Sequence, residues 1–285
     1  MTALDIRPDE TAAPARPGVQ PSDERARLRL PSAAGLGAAT LWLSLLVLIP
    51  LAAVVAKAFG GGLSGFWNAV TAEQALASLR LTVLSSLAIT LINAVMGTVI
   101  AWVLVRDDFR GKRLLEIVID IPFALPTIVA GLVLISVYGP QSPIGLDLYG
   151  TRIAVAFALL FVTLPFVARA VQPVLQELDV EVEQAAACLG ASRLTVFRRI
   201  ALPLLLPAIA SGAGLGFARA MGEYGSVLLI SGGLDRTQVT SLYAYGRIQN
   251  YDYVGAAAVS TVLLVVSLVV LLSLDVLQRK ARRRG

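Results

Sequence analysis

Glu183-Gln184-Ala185-Ala186-Ala187-Cys188-Leu189-Gly190, continued by Ala191-Ser192-Arg193-Leu194-Thr195-Val196-Phe197-Arg198-Arg199 and closed by Ile200-Ala201-Leu202-Pro203, is a polar and basic interruption in an otherwise oily chain. Its local grammar is that of two short helices joined at a glycine. Val180 to Leu189 is built of good helix formers, and Gly190 tolerates the left-handed backbone that ends a helix. Ser192 is placed to cap a second helix running through Arg199, and Pro203 opens the next apolar run. A compact polar element between two membrane spans offers a docking surface to something in the aqueous phase.

The composition around it bounds what that something is. Of the 285 residues, 56% are hydrophobic and 15% charged, and the mean hydropathy is +0.76. A chain of this kind is an all-α, multispanning membrane protein with little extramembrane mass. One cysteine, Cys188, excludes an internal disulfide, and there is no Cys/His cluster to hold zinc. The absence of histidine removes the commonest general base and metal ligand. Catalysis within this chain is therefore not expected. The net charge of +5 reads as membrane orientation, not as nucleic-acid binding.

Residues 1–35 carry Pro, Ala and charge without an apolar period and read as a disordered arm. Six apolar runs come after it: Leu36–Phe59, Leu81–Val105, Ile117–Tyr138, Ile153–Val171, Leu204–Ile230 and Val254–Leu274. Each approaches or exceeds the roughly 20 residues a helix needs to cross a bilayer core. The first starts too late and runs too long for a cleaved signal peptide. The membrane-embedded body is thus expected over 36–278, with a polar loop at about 176–203 and a basic tail at 279–285.

Loop charges set the orientation. Eighteen basic residues fall on one side (the arm, Arg106–Arg113, Arg169–Arg199 and Arg279–Arg284), against five on the other: Lys57, Arg80, Arg152, Arg236 and Arg247. The positive-inside rule places both termini and the opening stretch in the cytoplasm.

Helix-breaking residues are concentrated in two runs. Pro122 and Pro126 interrupt the third, either as a structural kink or as the wall of a gate or pathway. The fifth opens with Pro203 and Pro207, and Gly212 and Gly216 form a small-xxx-small pair suited to close helix packing. Deep in the same run stand Arg219 and Glu223, one helical turn apart. A charge at the membrane centre costs about 3 kcal/mol on insertion scales, so the two side chains are expected to meet and neutralise each other. Arg219 then either lends positive potential to an anion path, or forms with Glu223 an internal pair that fixes helix orientation.

The opening stretch resembles the EAA signature of binding-protein-dependent ABC importer permeases, a cytoplasmic loop of the form EAA-x3-G-x9-I-x-LP. Gln184, Ala185 and Ala186 stand at EAA, Gly190 at the glycine, Ile200 at the isoleucine, and Leu202-Pro203 close it. Every spacing matches. The departure is Gln184 at the glutamate position with Glu183 beside it, about 100° round the helix. Other segments sharpen the likeness over roughly residues 36–278. These are ARAMGEYG (Ala218–Gly225), PFALPTIVAGL (Pro122–Leu132), LPFVARAVQPVLQELD (Leu164–Asp179) and NYDYVGAAA (Asn250–Ala258). The first resembles a segment of sulfate and molybdate permeases alike, and the other three look like the sulfate/thiosulfate permeases of the CysT type.

The resemblance implies the type I ABC importer permease fold, with six transmembrane helices and a cytoplasmic coupling helix in a bacterial plasma membrane. It implies half of a pore, completed by a CysW-like permease. A CysA-like ATPase dimer would lie below and an extracytoplasmic sulfate-binding protein above. ATP and Mg would be bound by the ATPase, because this chain has no Gly-x4-Gly-Lys-[Ser/Thr] phosphate loop. Coupling residues carried over are Glu183, Gln184, Ala185, Ala186, Gly190, Ser192, Arg193, Ile200 and Pro203. Arg193, Arg198 and Arg199 would meet acidic ATPase residues, or membrane lipid headgroups.

Three alternatives stay open on sequence alone. Molybdate and tungstate are tetrahedral oxyanions like sulfate and thiosulfate, and no residue discriminates among them. An ion-gradient-driven secondary transporter would show inverted repeats and ionisable residues along a central path. A membrane scaffold would leave the docking stretch without a motor.

Overall fold

Thr151 shows how this sequence builds a long helix. Its backbone is extended, and its side-chain oxygen accepts from the Ala154 N–H, so Arg152 and Ile153 enter helical geometry at once. The computed structural model of the chain describes residues 30–282, and side chains over 34–276. Of the arm expected over 1–35, the first 29 residues lie outside that range, and helix begins at Leu30. The tail expected at 279–285 is helical through Arg282, and its last three residues lie outside.

The described residues form helices and no strand. The N-terminal unit ends at Pro50. It holds α1 (Leu30–Leu43), a π-helical turn (Ser44–Leu48) and the first residues of α2 (Ile49–Ala58). Leu41, Trp42, Leu45 and Leu46 are all exposed, as suits a lipid-facing helix.

The main unit, Leu51–Gly285, continues with α3 (Gly62–Thr71), α4 (Glu73–Arg106), α5 (Lys112–Ala124), α6 (Thr127–Tyr138) and α7 (Arg152–Glu177). Then come α8 (Val180–Cys188), α9 (Arg193–Val196), a π-helical turn (Phe197–Ala201) and α10 (Leu202–Met221). The chain ends with α11 (Gly225–Ile230), α12 (Thr240–Gln249) and α13 (Tyr253–Arg282).

The helix α7 is the axis of this unit. It shares one buried cluster with α4, α6 and α11 (Val155 and Leu159 against Ile89, Leu134 and Ile230). It shares another with α4 and α10 (Val167, Val171 and Leu175 against Ala101, Leu205 and Ala213). Lipid is as apolar as leucine, so close approach and polar contacts must hold these helices together. Both are present. A Cβ on Gly97 of α4 would lie 2.7 Å from Val167 Cβ, and one on Gly212 of α10 would lie 2.8 Å from the Phe166 carbonyl and Val167 Cα. Gly216 is looser, its nearest neighbour at 3.7 Å, so the small-xxx-small pair has one tight member. Asn93 of α4 donates to Thr163 of α7 across 2.8 Å.

Among the described residues, five helices are long and apolar enough to cross a membrane: Ala34–Ala58, Glu73–Arg106, Arg152–Glu177, Arg193–Met221 and Tyr253–Val276. The third run, Ile117–Tyr138, is not one rod: it falls on α5 and α6, joined at a bend of 119°, sharper than the kink expected of its two prolines. Pro126 is the cause: it has no N–H to give and holds Leu125 in extended backbone (φ −84°, ψ 133°). Pro122 stays inside α5. The fifth span also differs from Leu204–Ile230. It starts at Arg193, stops at Met221, and resumes as the short α11 after Gly222-Glu223-Tyr224.

Candidate functional site

The element at 179–201 is assembled by local hydrogen bonds that its sequence supplies. Asp179 caps α8, its Oδ1 accepting from the Glu181 N–H at 2.9 Å. At the other end the Gly190 N–H reaches Ala187 O and the Ala191 N–H reaches Ala186 O, at 2.9 and 3.1 Å. Gly190 has φ +84°, the left-handed conformation that closes a helix in this way. Ser192 then caps α9 through the Thr195 N–H.

Beyond α9 the geometry departs from two separate helices. The chain widens into the π turn at Phe197–Ala201 and runs straight into α10. Pro203 gives no N–H to a carbonyl one turn back, and a π turn is one way a helix absorbs that loss. One rod, Arg193–Met221, therefore carries the second half of the motif at one end and Arg219 at the other.

Glu183 does not face outward. Its Oε1 accepts from Arg106 Nε and Nη2 at 3.0 and 2.6 Å, and both side chains are largely shielded. Arg106 Nη2 also donates to Leu178 O at 3.1 Å. The guanidinium lies 5.9 Å from the centre of the Trp102 ring, which meets Phe197 edge-on at 5.1 Å. The C-terminal end of α4 thus grips both α8 and the π turn. A cleft of about 600 Å³ opens between them, lined by Trp102, Arg106, Gln184, Arg193 and Phe197 among others. Sequence reasoning counted Arg106 only as a topology charge. Its partner is 77 residues away, and no local period points there.

Gln184, Arg193 and Leu194 are exposed where they line this cleft, and Ala185, Gly190 and Ser192 are exposed outside it. Leu189 at the tip is 90% exposed. Ala186 and Ile200 are half-buried, and Pro203 is exposed.

The intramembrane candidates form a second group, apart from the first. Arg219 Nη1 lies 2.6 Å from Glu223 Oε2, as the four-residue spacing predicts. The helix nevertheless ends between them, because the Glu223 carboxylate is engaged ahead: its Oε1 accepts from the Ser226 N–H and Oγ at 2.9 and 2.8 Å. Glu223 thereby caps α11, and its side chain is 1% exposed against 33% for Arg219. The two helix breaks adjoin. A Cβ on Gly225 would lie 2.3 Å from Thr127 Oγ1, and one on Gly131 would lie 2.9 Å from Ser226 O. The residues just after Pro126 therefore press on those just after Glu223.

Known proteins resemble this chain in sequence and in architecture. The family described as "Binding-protein-dependent transport system inner membrane component" matches residues 94–283. The "Sulfate transport system permease protein CysT" of Synechocystis sp. is 42% identical over 85% of this chain and 88% of its own length. Its namesakes in Salmonella typhimurium and Escherichia coli are 40% and 39% identical, each over 87% of this chain and 93% of their own. Among solved structures, a bacterial ABC transporter for import of the acidic polysaccharide alginate superposes with a TM-score of 0.74 at 17% identity, covering 87% of this chain and 94% of that one. The MetNI methionine ABC transporter gives 0.56 at 19% identity, covering 74% and 99%. These structures speak for the fold alone.

Proposed function

The chain belongs to the binding-protein-dependent transport system inner membrane component family, and from that premise we propose that it is a permease subunit of an ATP-driven sulfate importer. The observation that carries the mechanism is the exposed helix-glycine-helix element continuous with the membrane rod Arg193–Met221. A force applied to α8 has two rigid routes into the membrane: Glu183 to Arg106 and α4, and the π turn to α10.

In this reading the element docks on a cytoplasmic CysA-like ATPase dimer, which holds ATP and Mg. A CysW-like permease completes the pore, and an extracytoplasmic sulfate-binding protein delivers the anion above. Both termini lie in the cytoplasm of a bacterial inner membrane, as the excess of basic residues on the Arg106 and Arg193 side supports. Closure of the ATPase dimer tilts α4 and α10 together, and the breaks at Pro126 and Gly222–Tyr224 are where the bundle yields. Thiosulfate shares the tetrahedral shape of sulfate and uses the same route.

The test is uptake of labelled sulfate by vesicles holding the chain with its second permease, with and without the ATPase. ATP-dependent uptake that vanishes without the ATPase is the expected result. Gradient-driven uptake without it would overturn the reading, and uptake of molybdate in place of sulfate would change the substrate.

A further inference from the structure

At the end of the bundle away from Arg106, α4 and α7 leave a concavity of about 560 Å³ lined by Arg80, Ser85 and Arg152 over a floor of leucine and alanine. Arg80 stands on the same helix as Arg106 and roughly 39 Å from it, at 1.5 Å of rise per residue. Arg152 is the first residue of α7, so its charge adds to the positive end of a 26-residue helix dipole.

The electrostatics of this concavity are unbalanced. The lining holds two guanidiniums and no carboxylate. Among the described residues the Arg80 side chain makes neither hydrogen bond nor ion pair. Arg152 spends only Nε, on the Arg236 carbonyl at 3.2 Å, and its two terminal amino groups are unspent. Arg236 stands beside them, its Nη2 on Gly150 O at 3.4 Å. The acids at this end form no ion pair with Arg80 or Arg152. Glu73, Asp147 and Asp235 lie outside the lining, and Asp252 is held by Arg247.

Arg80 and Arg152 are both exposed and line one concavity over an apolar floor, where an anion would meet two positive groups and no negative one. A guanidinium presents paired donors in a fixed fork that matches two oxygens of a tetrahedral oxyanion. The geometry points to a binding site for a tetrahedral dianion here, with Arg80 and Arg152 as its two forks and Ser85 as a neutral donor. This site rests on the transport reading above, which puts the concavity at the extracytoplasmic mouth. Its work is to retain the dianion where it leaves the binding protein, by the focusing that a cleft of one sign exerts.

Phosphate in a lipid headgroup has the same chemistry, so the experiment separates the two. Ala88→Cys, in the lining but outside the proposed contacts, is placed in a Cys188→Ser background, assembled with its partner subunits and reconstituted in phosphatidylcholine with or without phosphatidylglycerol. An anionic, membrane-impermeant methanethiosulfonate reagent is applied from outside, and its rate of attachment to this chain is read by mass spectrometry. The expected result is fast modification that sulfate slows about fivefold relative to chloride of equal ionic strength, with protection lost in Arg80→Gln/Arg152→Gln. Protection that survives the double substitution, or is absent altogether, overturns the site. So does an unreactive cysteine, which means the concavity is closed to the aqueous phase. Protection conferred by phosphatidylglycerol in chloride alone assigns the forks to lipid and also overturns it. Labelled-sulfate uptake is measured in parallel: uptake without protection removes only this site, and protection without uptake removes only the transport reading.

Discussion

Arg106 Nη2 lies 2.6 Å from Glu183 Oε1, so the last residue of α4 holds the middle of α8. The pair is shielded from solvent, and removing one partner leaves a desolvated charge, which costs about 3 kcal/mol. Glu183→Ala and Arg106→Gln are each expected to cut uptake by about tenfold while the protein still inserts and assembles. The charge swap Arg106→Glu/Glu183→Arg recovers part of the loss. Uptake per assembled complex, with limited proteolysis at 178–193, reads both effects. Parental uptake in Arg106→Gln would show that α4 need not move with α8.

Gly190 separates a backbone demand from a surface demand. Its φ of +84° costs an ordinary residue about 1–2 kcal/mol, and less for Asn or Asp. A Cβ there meets nothing within 4 Å, so no packing clash adds to it. Gly190→Val is expected to abolish uptake through the turn. Gly190→Asp is expected to abolish it too, by setting a negative charge on the exposed docking face, and its isostere Gly190→Asn should keep about half or more. Equal loss in Asp and Asn would place the whole effect in the backbone. Gln184→Glu, exposed at the rim of the cleft, should retain uptake.

What the sequence made legible, and what it hid, divides by distance along the chain. The cap at Ser192, the left-handed turn at Gly190 and the Arg219–Glu223 contact are all set by residues within a turn or two of one another, and the structure reproduces them. The grip of Arg106 on Glu183 and the abutment of Gly225 on Thr127 link distant segments and leave no periodic trace. Proline was visible, but its consequence was not. Pro122, Pro165 and Pro173 stay inside helices while Pro126 lies at the break between two, and the residue type alone does not tell these outcomes apart. Hydropathy likewise cannot see the gap at Gly222–Tyr224, because the residues on either side are equally apolar.

Packing on α7 yields a prediction that distinguishes three neighbouring glycines. A Cβ at Gly212 would press on backbone atoms of Phe166 and Val167 at 2.8 Å, and backbone in a packed helix cannot move aside cheaply. At Gly214 the nearest atoms are the ends of Leu274 and Leu271 at 3.5 and 3.6 Å, and at Gly216 they stand at 3.7 Å or more. Gly212→Ala is expected to destabilise the fold by about 1–3 kcal/mol and to lower the yield of monodisperse protein in detergent. Gly214→Ala and Gly216→Ala should match the parent. Similar melting temperatures for all three would remove close α7–α10 contact as their cause.

The intramembrane pair can be tested for its role by asking which member carries the structure. Glu223 is enclosed and fully committed, to Arg219 on one oxygen and to Ser226 on the other. Arg219 is a third exposed. Its charge is therefore offset at 2.6 Å by a carboxylate that cannot turn away without uncapping α11. An anion near Arg219 would meet little net field. The pair is expected to act as a fastener between α10 and α11. Glu223→Ala should cost the most, about 3 kcal/mol, because it orphans a charge and a helix end together. Arg219→Gln should lower folded yield yet leave uptake per assembled complex within about twofold. Arg219→Gln/Glu223→Gln should recover yield, since neither side chain is then an unpaired charge. The opposite pattern, full yield in Arg219→Gln with uptake reduced about tenfold or more, would move Arg219 from the scaffold into the path of the anion.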